Sequence, residues 1–225
     1  MPGKRFREAW SKRPTDAVGL HDAVTFVKDS AKAKFDETIE VHVHLGVDPK
    51  QSDQSVRGTV SLPHGSPSSV RVAVFTDDAK LQEAARAAGA DIVGGKELID
   101  KVSADKRLDA DIAATTPDMM KDLSKIAKVL GPRGLMPNPK SGTIGADPAA
   151  IVKSLKGGRM NFKMDDSSNV HVAVAKASWE TDKIESNARA LVDAVRQAKP
   201  ATAKGEYIRS VTLVSTMGPS VRVRI

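Results

Sequence analysis

The sequence predicts two domains, a three-layer α/β domain with a parallel sheet inserted into a discontinuous α+β domain built from the two ends of the chain. Three observations predict it. Strands with one apolar and one polar face occupy both ends of the 225 residues. The middle instead alternates short apolar strands with helices, the pattern of a parallel sheet covered on both faces. Two junctions, His64-Gly-Ser-Pro-Ser-Ser69 and Lys156-Gly-Gly-Arg159, separate these patterns and are rich in residues typical of chain crossings. The expected boundaries are 1–65 with 159–225 for the α+β domain and 66–158 for the insert.

Each element follows from its pattern. A helical segment runs from about residue 21 to 32. From 38 to 45 the chain alternates strictly, with Ile39, Val41, Val43 and Leu45 on one face and Glu40, His42 and His44 on the other, a strand with one wet face. Val56, Val60 and Leu62 repeat that character. In the insert, residues 70–75 form a strand, followed by a helix near 78–88 that Gly89 ends. Short strands at 92–93 and 110–114 follow, each trailed by a helical stretch. After Pro117, Met119, Leu123, Ile126, Ala127 and Leu130 share one helical side. Asp147-Pro148 supplies an N-cap and first-turn proline for a helix that stops at Gly157-Gly158. Residues 170–175 and 207–215 read as strands, with Ile184, Ala188, Leu191, Val192 and Val195 on a helical face between them. Val221, Val223 and Ile225 then alternate with Ser220, Arg222 and Arg224.

Composition narrows the function. The net charge is +7 and the pI near 9.6, which suits a polyanionic partner. The insert carries 14 Lys and Arg against 12 Asp and Glu, and the remainder 21 against 16, so most of the excess lies in the discontinuous domain. Aromatics are only 4%, too few for a surface made mainly of stacked bases. The absence of cysteine excludes disulfides and thiolate metal sites. No apolar run approaches the ~20 residues of a membrane helix, and the basic N-terminus lacks the apolar core of a secretory signal, so a cytoplasmic protein is expected.

Signals for catalysis are missing. The first insert strand runs into Thr76-Asp77-Asp78 rather than a glycine-rich dinucleotide loop, and Gly94-Gly95-Lys96 lacks the spacing of a phosphate loop. No serine occupies a G-x-S-x-G elbow. His42, His44 and Glu40 share a face but have no evident fourth ligand, so no metal and no cofactor is expected.

Three stretches carry possible recognition chemistry. The run Leu130-Gly-Pro-Arg-Gly-Leu-Met-Pro-Asn-Pro-Lys-Ser-Gly-Thr-Ile-Gly145 holds four glycines, three prolines and two cations, Arg133 and Lys140, without an acid. It is neither helix nor central strand, and Leu135, Met136 and Ile144 give it something to bury. The stretch 215–224 reads either as an ordinary hairpin turn or as a close contact with RNA. In the second case Thr216 bonds a phosphate or 2′-hydroxyl, Met217 lies on a sugar or base, and Gly218 admits the backbone. In 34–40, Phe35 is either core or contact. Glu37 and Glu40 are either a solvated face or acceptors for ribose hydroxyls.

Taken together, the 130–145 run, Phe35-Asp-Glu-Thr38, the stretch 53–65, Lys176-Ala-Ser178 and Thr216-Met-Gly-Pro-Ser220 resemble the L-one family of large-subunit ribosomal proteins, of bacterial type. The resemblance covers essentially the whole chain, and it implies the same split architecture. It also implies binding to large-subunit ribosomal RNA through the discontinuous domain, contact with deacylated transfer RNA leaving the ribosome, and repression of the family's own messenger RNA. Carried over by position, the RNA contacts fall on Lys34, Phe35, Thr38, Glu40, Ser210, Thr216, Met217 and Gly218. Lys163, Lys176 and Ser178 are additions, and Arg133 and Lys140 a secondary contact. The free protein is expected to be a monomer. Trp179 stands where the family pattern suggests phenylalanine or another apolar residue. The alternatives are a free-standing RNA-binding regulator of translation and an α/β enzyme whose basic loop holds an anionic substrate.

Overall fold

The computed structural model describes residues 3–224, without the side chains of Ser52 and Lys140. Contacts divide the chain into Met1–Pro67 with Met160–Ile225, and Ser68–Arg159. In the first half of the outer unit lie α1 (Lys4–Ser11), α2 (Leu20–Ser30), β1 (Thr38–Leu45) and β2 (Arg57–Ser61). The insert contains β3 (Val72–Phe75), α3 (Ala79–Ala87), β4 (Ile92–Gly94), α4 (Lys96–Asp105), β5 (Ile112–Thr115), α5 (Met120–Leu123), α6 (Ala127–Leu130) and α7 (Pro148–Lys156). The chain then forms β6 (Arg159–Lys163), β7 (Asn169–Lys176), α8 (Thr181–Gln197), β8 (Ile208–Ser215) and β9 (Val221–Val223).

The insert is a three-layer α/β unit. Its sheet has the order β4-β3-β5, and both pairings are parallel. Successive β3 residues enter opposite cores because side chains alternate along a strand. Val72 and Val74 meet Ala85, Val152 and Leu155 from α3 and α7. Ala73 and Phe75 meet Ile99, Val102, Leu123, Ile126 and Leu130 on the other face. The continuous helix expected after Pro117 is instead two short α-helices joined and preceded by 3-10 turns. Met119, Leu123, Ile126 and Leu130 are nevertheless all buried, so the apolar spacing fixes the buried side without fixing the helix type. Ser124 Oγ donates to the Met120 carbonyl at 3.1 Å, a local bond that competes with regular helix there. The strand expected at 110–114 begins only at Ile112. Asp111 is occupied by Arg71, whose backbone N–H and guanidinium donate to its carboxylate.

The outer unit is built on a four-stranded sheet of order β7-β1-β8-β9, with antiparallel pairing throughout. β2 and β6 form a separate two-stranded sheet. Ile39, Val41, Val43, Val170, Val172, Val211 and Leu213 bury one face of the large sheet in a single core with α2 and α8. Trp179 is half-buried and packs on that core. The strand β6 was not expected. It covers Gly58 with the Phe162 ring, which a Cβ at position 58 would meet at 2.7 Å. Helix α1 was also not expected: Phe6, Ala9 and Trp10 share one side, but that pattern spans barely one turn of a cation-rich segment, and the helix buries no residue. Helix α2 stops at Ser30 rather than residue 32, where the Ser30 hydroxyl turns back to the Phe26 and Val27 carbonyls at 2.9 and 3.0 Å. Residue 225, expected to extend the last strand pattern, lies outside the described residues.

Candidate nucleic-acid interface

Three loops meet at one end of β1, and a buried carboxylate holds them. Glu37 is 1% exposed. Its Oε1 accepts the Ala33 N–H at 2.9 Å and its Oε2 the Met217 N–H at 3.0 Å. Its own carbonyl accepts the Ala177 N–H at 2.8 Å. One residue thus ties the segment 33–37 to the turns after β7 and β8. Hydrogen bonds to a charged acceptor are the stronger kind, and removing one leaves buried donors unpaired.

Around that post the named residues form a continuous network. The Thr216 N–H donates to the Thr38 carbonyl at 3.0 Å, and Thr216 Oγ1 accepts the Thr38 N–H at 3.0 Å while lying 3.3 Å from the same carbonyl. Thr216 therefore extends the β1–β8 ladder with its side chain. Lys176 Nζ donates to Thr38 Oγ1 at 2.8 Å. Ser178 donates its N–H and hydroxyl to Asp36 at 3.1 and 2.8 Å. Gly218 sits over the buried Ser215 hydroxyl, into which a Cβ at position 218 would run. Among the described residues that hydroxyl finds no hydrogen-bond partner. On this fixed frame Phe35 and Met217 stand 56% and 54% exposed, and Lys34 is exposed beside them. Nothing in the core requires those two apolar side chains to face water.

The face of the large sheet opposite its core continues the polar surface. Glu40 Oε2 and His42 Nε2 are 3.1 Å apart, His44 Nδ1 and Asn169 Oδ1 2.9 Å. The rings of His42 and His171 meet edge to face with centroids 4.4 Å apart. Ser210 lies opposite His44 in the register. Asp165, beyond His171, is held below the ordinary aspartate range chiefly by the Asn169 backbone N–H. Among the described residues no three His, Cys, Asp or Glu groups converge as metal ligands.

The structure thus gathers Lys34, Phe35, Thr38, Lys176, Ser178, Thr216, Met217 and Gly218 at one rim, with Glu40 and Ser210 on the adjoining sheet face. Lys163 is exposed on β6, in the other sheet. Arg133 belongs to the insert and donates to the Leu108 carbonyl at 3.1 Å. The side chain of Lys140 lies outside the described residues. The reading of Glu37 as a solvated or RNA-facing carboxylate is corrected by its burial. The signal was present: 37 shares the inward parity of 39, 41, 43 and 45, just as Ser215 shares that of 211 and 213. Asp36 was likewise overlooked.

The insert offers a different surface. Asp78 caps α3 through the Lys80 N–H at 2.9 Å, and Asp147 caps α7 through the Ala149 and Ala150 N–H groups at 3.0 and 3.2 Å. At the start of α4, Asp77 accepts the Lys96 N–H at 3.1 Å and pairs with Lys96 Nζ at 3.4 Å. Helix N-termini attract anions, and these three are already served by carboxylates of the chain. The 130–145 run is held within the insert, by its own turn bonds and by the neighbouring strand and core. Leu135 is buried, Met136 packs on the adjacent core, Thr143 Oγ1 accepts the Asn138 N–H at 2.9 Å, and Ile144 bridges Thr115 in parallel.

Comparison with known proteins gives concordant results. The sequence pattern described as the Ribosomal protein L1p/L10e family matches residues 27–219. The large ribosomal subunit protein uL1 of Deinococcus radiodurans is 51% identical over 221 residues, covering 97% of this chain and 94% of that protein. The protein of the same name from Solibacter usitatus is 46% identical over 222 residues, covering 99% and 93%.

Proposed function

The chain belongs to the ribosomal protein L1p/L10e family, whose members are structural rather than catalytic, and on that premise we propose that it binds large-subunit ribosomal RNA through the rim formed by Phe35, Thr38, Thr216, Met217 and Gly218. The observation that carries the proposal is the pairing of two exposed apolar side chains, Phe35 and Met217, with a backbone that a buried carboxylate fixes. Preorganised apolar groups beside hydroxyls and lysines suit RNA, whose unstacked bases and 2′-hydroxyls offer both kinds of contact. Lys34 and Lys176 supply cations for phosphates, Glu40, Ser178 and Ser210 acceptors and donors for ribose, and Lys163 an outlying phosphate contact. Arg133 and Lys140 are assigned a secondary RNA contact from the insert.

On the same family likeness, the protein works in the cytoplasm as part of the large subunit's mobile side stalk, a monomer when free. There it assists release of deacylated transfer RNA. It also represses its own messenger RNA by offering the same surface to a similar RNA site. An enzyme holding an anionic substrate in the insert finds no support in the sealed helix N-termini. The test is affinity for ribosomal RNA across a salt series. Binding is expected to weaken linearly in log–log form as counterions are released. Phe35→Ala and Met217→Asp are each expected to cost on the order of 1–3 kcal/mol of affinity. Equal binding to duplex DNA of the same length, or affinity untouched by both variants, overturns the proposal. Gradient fractionation of cell extract then separates a subunit component, which sediments with the large subunit, from a free-standing regulator, which does not.

A further inference from the structure

Among the described residues three large hydrophobic side chains are exposed, and all three belong to the outer unit: Phe35, Met217 and Trp10, the last at 48%. Two of them form the rim already described. The third sits on α1, the helix that buries nothing, so its position calls for a separate reason.

Two attachments place α1 beside that rim. Arg5 Nη1 donates to the Lys32 carbonyl at 2.7 Å, two residues before Lys34. At the other end, Arg13 Nη1 reaches the Ser220 carbonyl at 3.5 Å, and the chain beyond it runs along β9. There the Val18 N–H donates to the Arg222 carbonyl at 3.1 Å and the Arg224 N–H to the Val18 carbonyl at 2.8 Å. The helix is therefore tied to the two segments, 32–35 and 217–220, that present Phe35 and Met217. A groove of about 360 Å³ lies between α1 and the end of α2, walled by the cations Arg5, Lys12 and Lys32, the acids Glu8 and Asp29, and Phe26.

The chemistry of α1 is that of a nucleotide platform. The Phe6 and Trp10 rings stack at 5.7 Å with 27° between their planes, and the Arg13 guanidinium lies 4.1 Å from the Trp10 ring centre. Residues 4–13 hold five cations, Lys4, Arg5, Arg7, Lys12 and Arg13, against the single acid Glu8. Planar aromatic and guanidinium groups accept an unpaired base by stacking, and adjoining cations take its phosphates. Duplex RNA keeps its bases stacked and offers none to an indole.

We propose that α1 is an additional RNA-binding element, in which Trp10, supported by Phe6 and Arg13, stacks on an unpaired nucleotide flanking the RNA held at the Phe35–Met217 rim. The inference rests on the proposed RNA binding of that rim. It assigns Lys12 and Arg13 to the phosphates of the flanking strand.

The experiment uses the full chain and the shortest ribosomal RNA fragment that the protein protects from nuclease. Trp10→Ala is expected to weaken binding about tenfold and Trp10→Phe to stay near wild type, because phenylalanine still offers a stacking face. Since α1 buries no core residue, the melting curve of Trp10→Ala should match that of wild type. In a Trp179→Phe background Trp10 is the sole tryptophan, and its fluorescence should be quenched by RNA with the same midpoint as binding. Wild-type binding that Phe35→Ala weakens but Trp10→Ala does not, or a Trp10 signal unmoved at saturating RNA, overturns the assignment of α1 alone. A wild-type chain that binds no ribosomal RNA overturns the rim and α1 together.

Discussion

In the insert both faces of the three-stranded parallel sheet are covered by helices, and the nearby helix N-termini are capped by Asp77, Asp78 and Asp147. In the outer unit the four-stranded antiparallel sheet is covered on one face only. Its other face carries Glu40, His42, His44 and His171, and its rim exposes Phe35 and Met217. Parallel strands need crossover helices, which cover them; antiparallel strands joined by turns leave a face available. Charge alone does not separate the units sharply, since each carries a positive balance. What separates them is whether polar groups are already satisfied inside the chain. The insert closes its own anion sites, whereas the outer unit spends a buried glutamate to hold two apolar side chains in water.

The strongest way to break this contrast is to part the units. Replacing 66–158 by a short linker is expected to leave a folded outer unit with RNA affinity within a few-fold of the whole chain, and the isolated insert to bind at least about a hundredfold more weakly, as non-specific contacts do. Circular dichroism with binding titrations decides it, and comparable affinity of the isolated insert removes the distinction.

Within the outer unit, Glu37→Ala should have the largest effect of a single change. It unpairs the buried Ala33 and Met217 N–H groups and is expected to cost roughly 3 kcal/mol of stability, with RNA affinity falling as the rim loses its shape. Thermal unfolding and binding are measured on the same sample. A stable variant that still binds shows that the post is dispensable.

Gly218→Ala is expected to cost about 2 kcal/mol, because its Cβ enters the space of Ser215 Oγ. Ser215→Ala removes that oxygen together with an unpaired hydroxyl. It should by itself be neutral or stabilising by about 1 kcal/mol, and it should rescue Gly218→Ala in the double variant. Additive losses instead mean that the clash is not the cause. Thr216→Val comes next, at about 1 kcal/mol of stability, since its hydroxyl closes the ladder with Thr38 at an exposed edge. Any loss of RNA affinity in that variant counts only beyond the folding term.

The smallest effects come from pH, and they fall at opposite ends of the scale: lowered carboxylates, Asp165 of the outer unit among them, give an acid limb, and a raised phenol gives an alkaline one. In the insert, Asp91 is held below its usual range chiefly by the Val72 N–H and then by Lys156, and Asp111 by the Arg71 side chain. A lowered carboxylate stabilises the fold above its unfolded value and loses that contribution as pH falls through the folded one, so the insert should weaken below about pH 4. Asp91→Asn should flatten this acid limb. In the outer unit burial pushes the Tyr207 phenol up to about 12, and its hydroxyl donates to the Val195 carbonyl at 3.0 Å. A raised phenol stabilises below its unfolded value of about 10 and is lost as pH climbs towards the folded one. Tyr207→Phe should reduce the alkaline sensitivity, and calorimetry at pH 3, 7 and 11 reads both limbs.

By itself the sequence determined the periods. The alternation from 39 to 45 named the buried and wet faces of β1, and Asp147-Pro148 named the start of α7, because side-chain direction and capping depend on neighbours in the chain. The apolar spacing from Met119 to Leu130 named a buried side but not the broken helix, since propensity yields to packing and to local bonds such as that of Ser124. Helix α1 escaped notice because no core face marks it. The inward parity of 37 pointed to its burial, but it took the packed chain to show that its carboxylate holds the Ala33 and Met217 N–H groups, that Thr216 spends its hydroxyl on Thr38, and that Trp10 is attached beside the segments carrying Phe35 and Met217. Those facts join residues 33, 177 and 217, or 13 and 220, which lie far apart in the chain. Whether a polar side chain meets water, a partner or a buried N–H depends on which distant segment arrives beside it, and the local pattern carries no record of that.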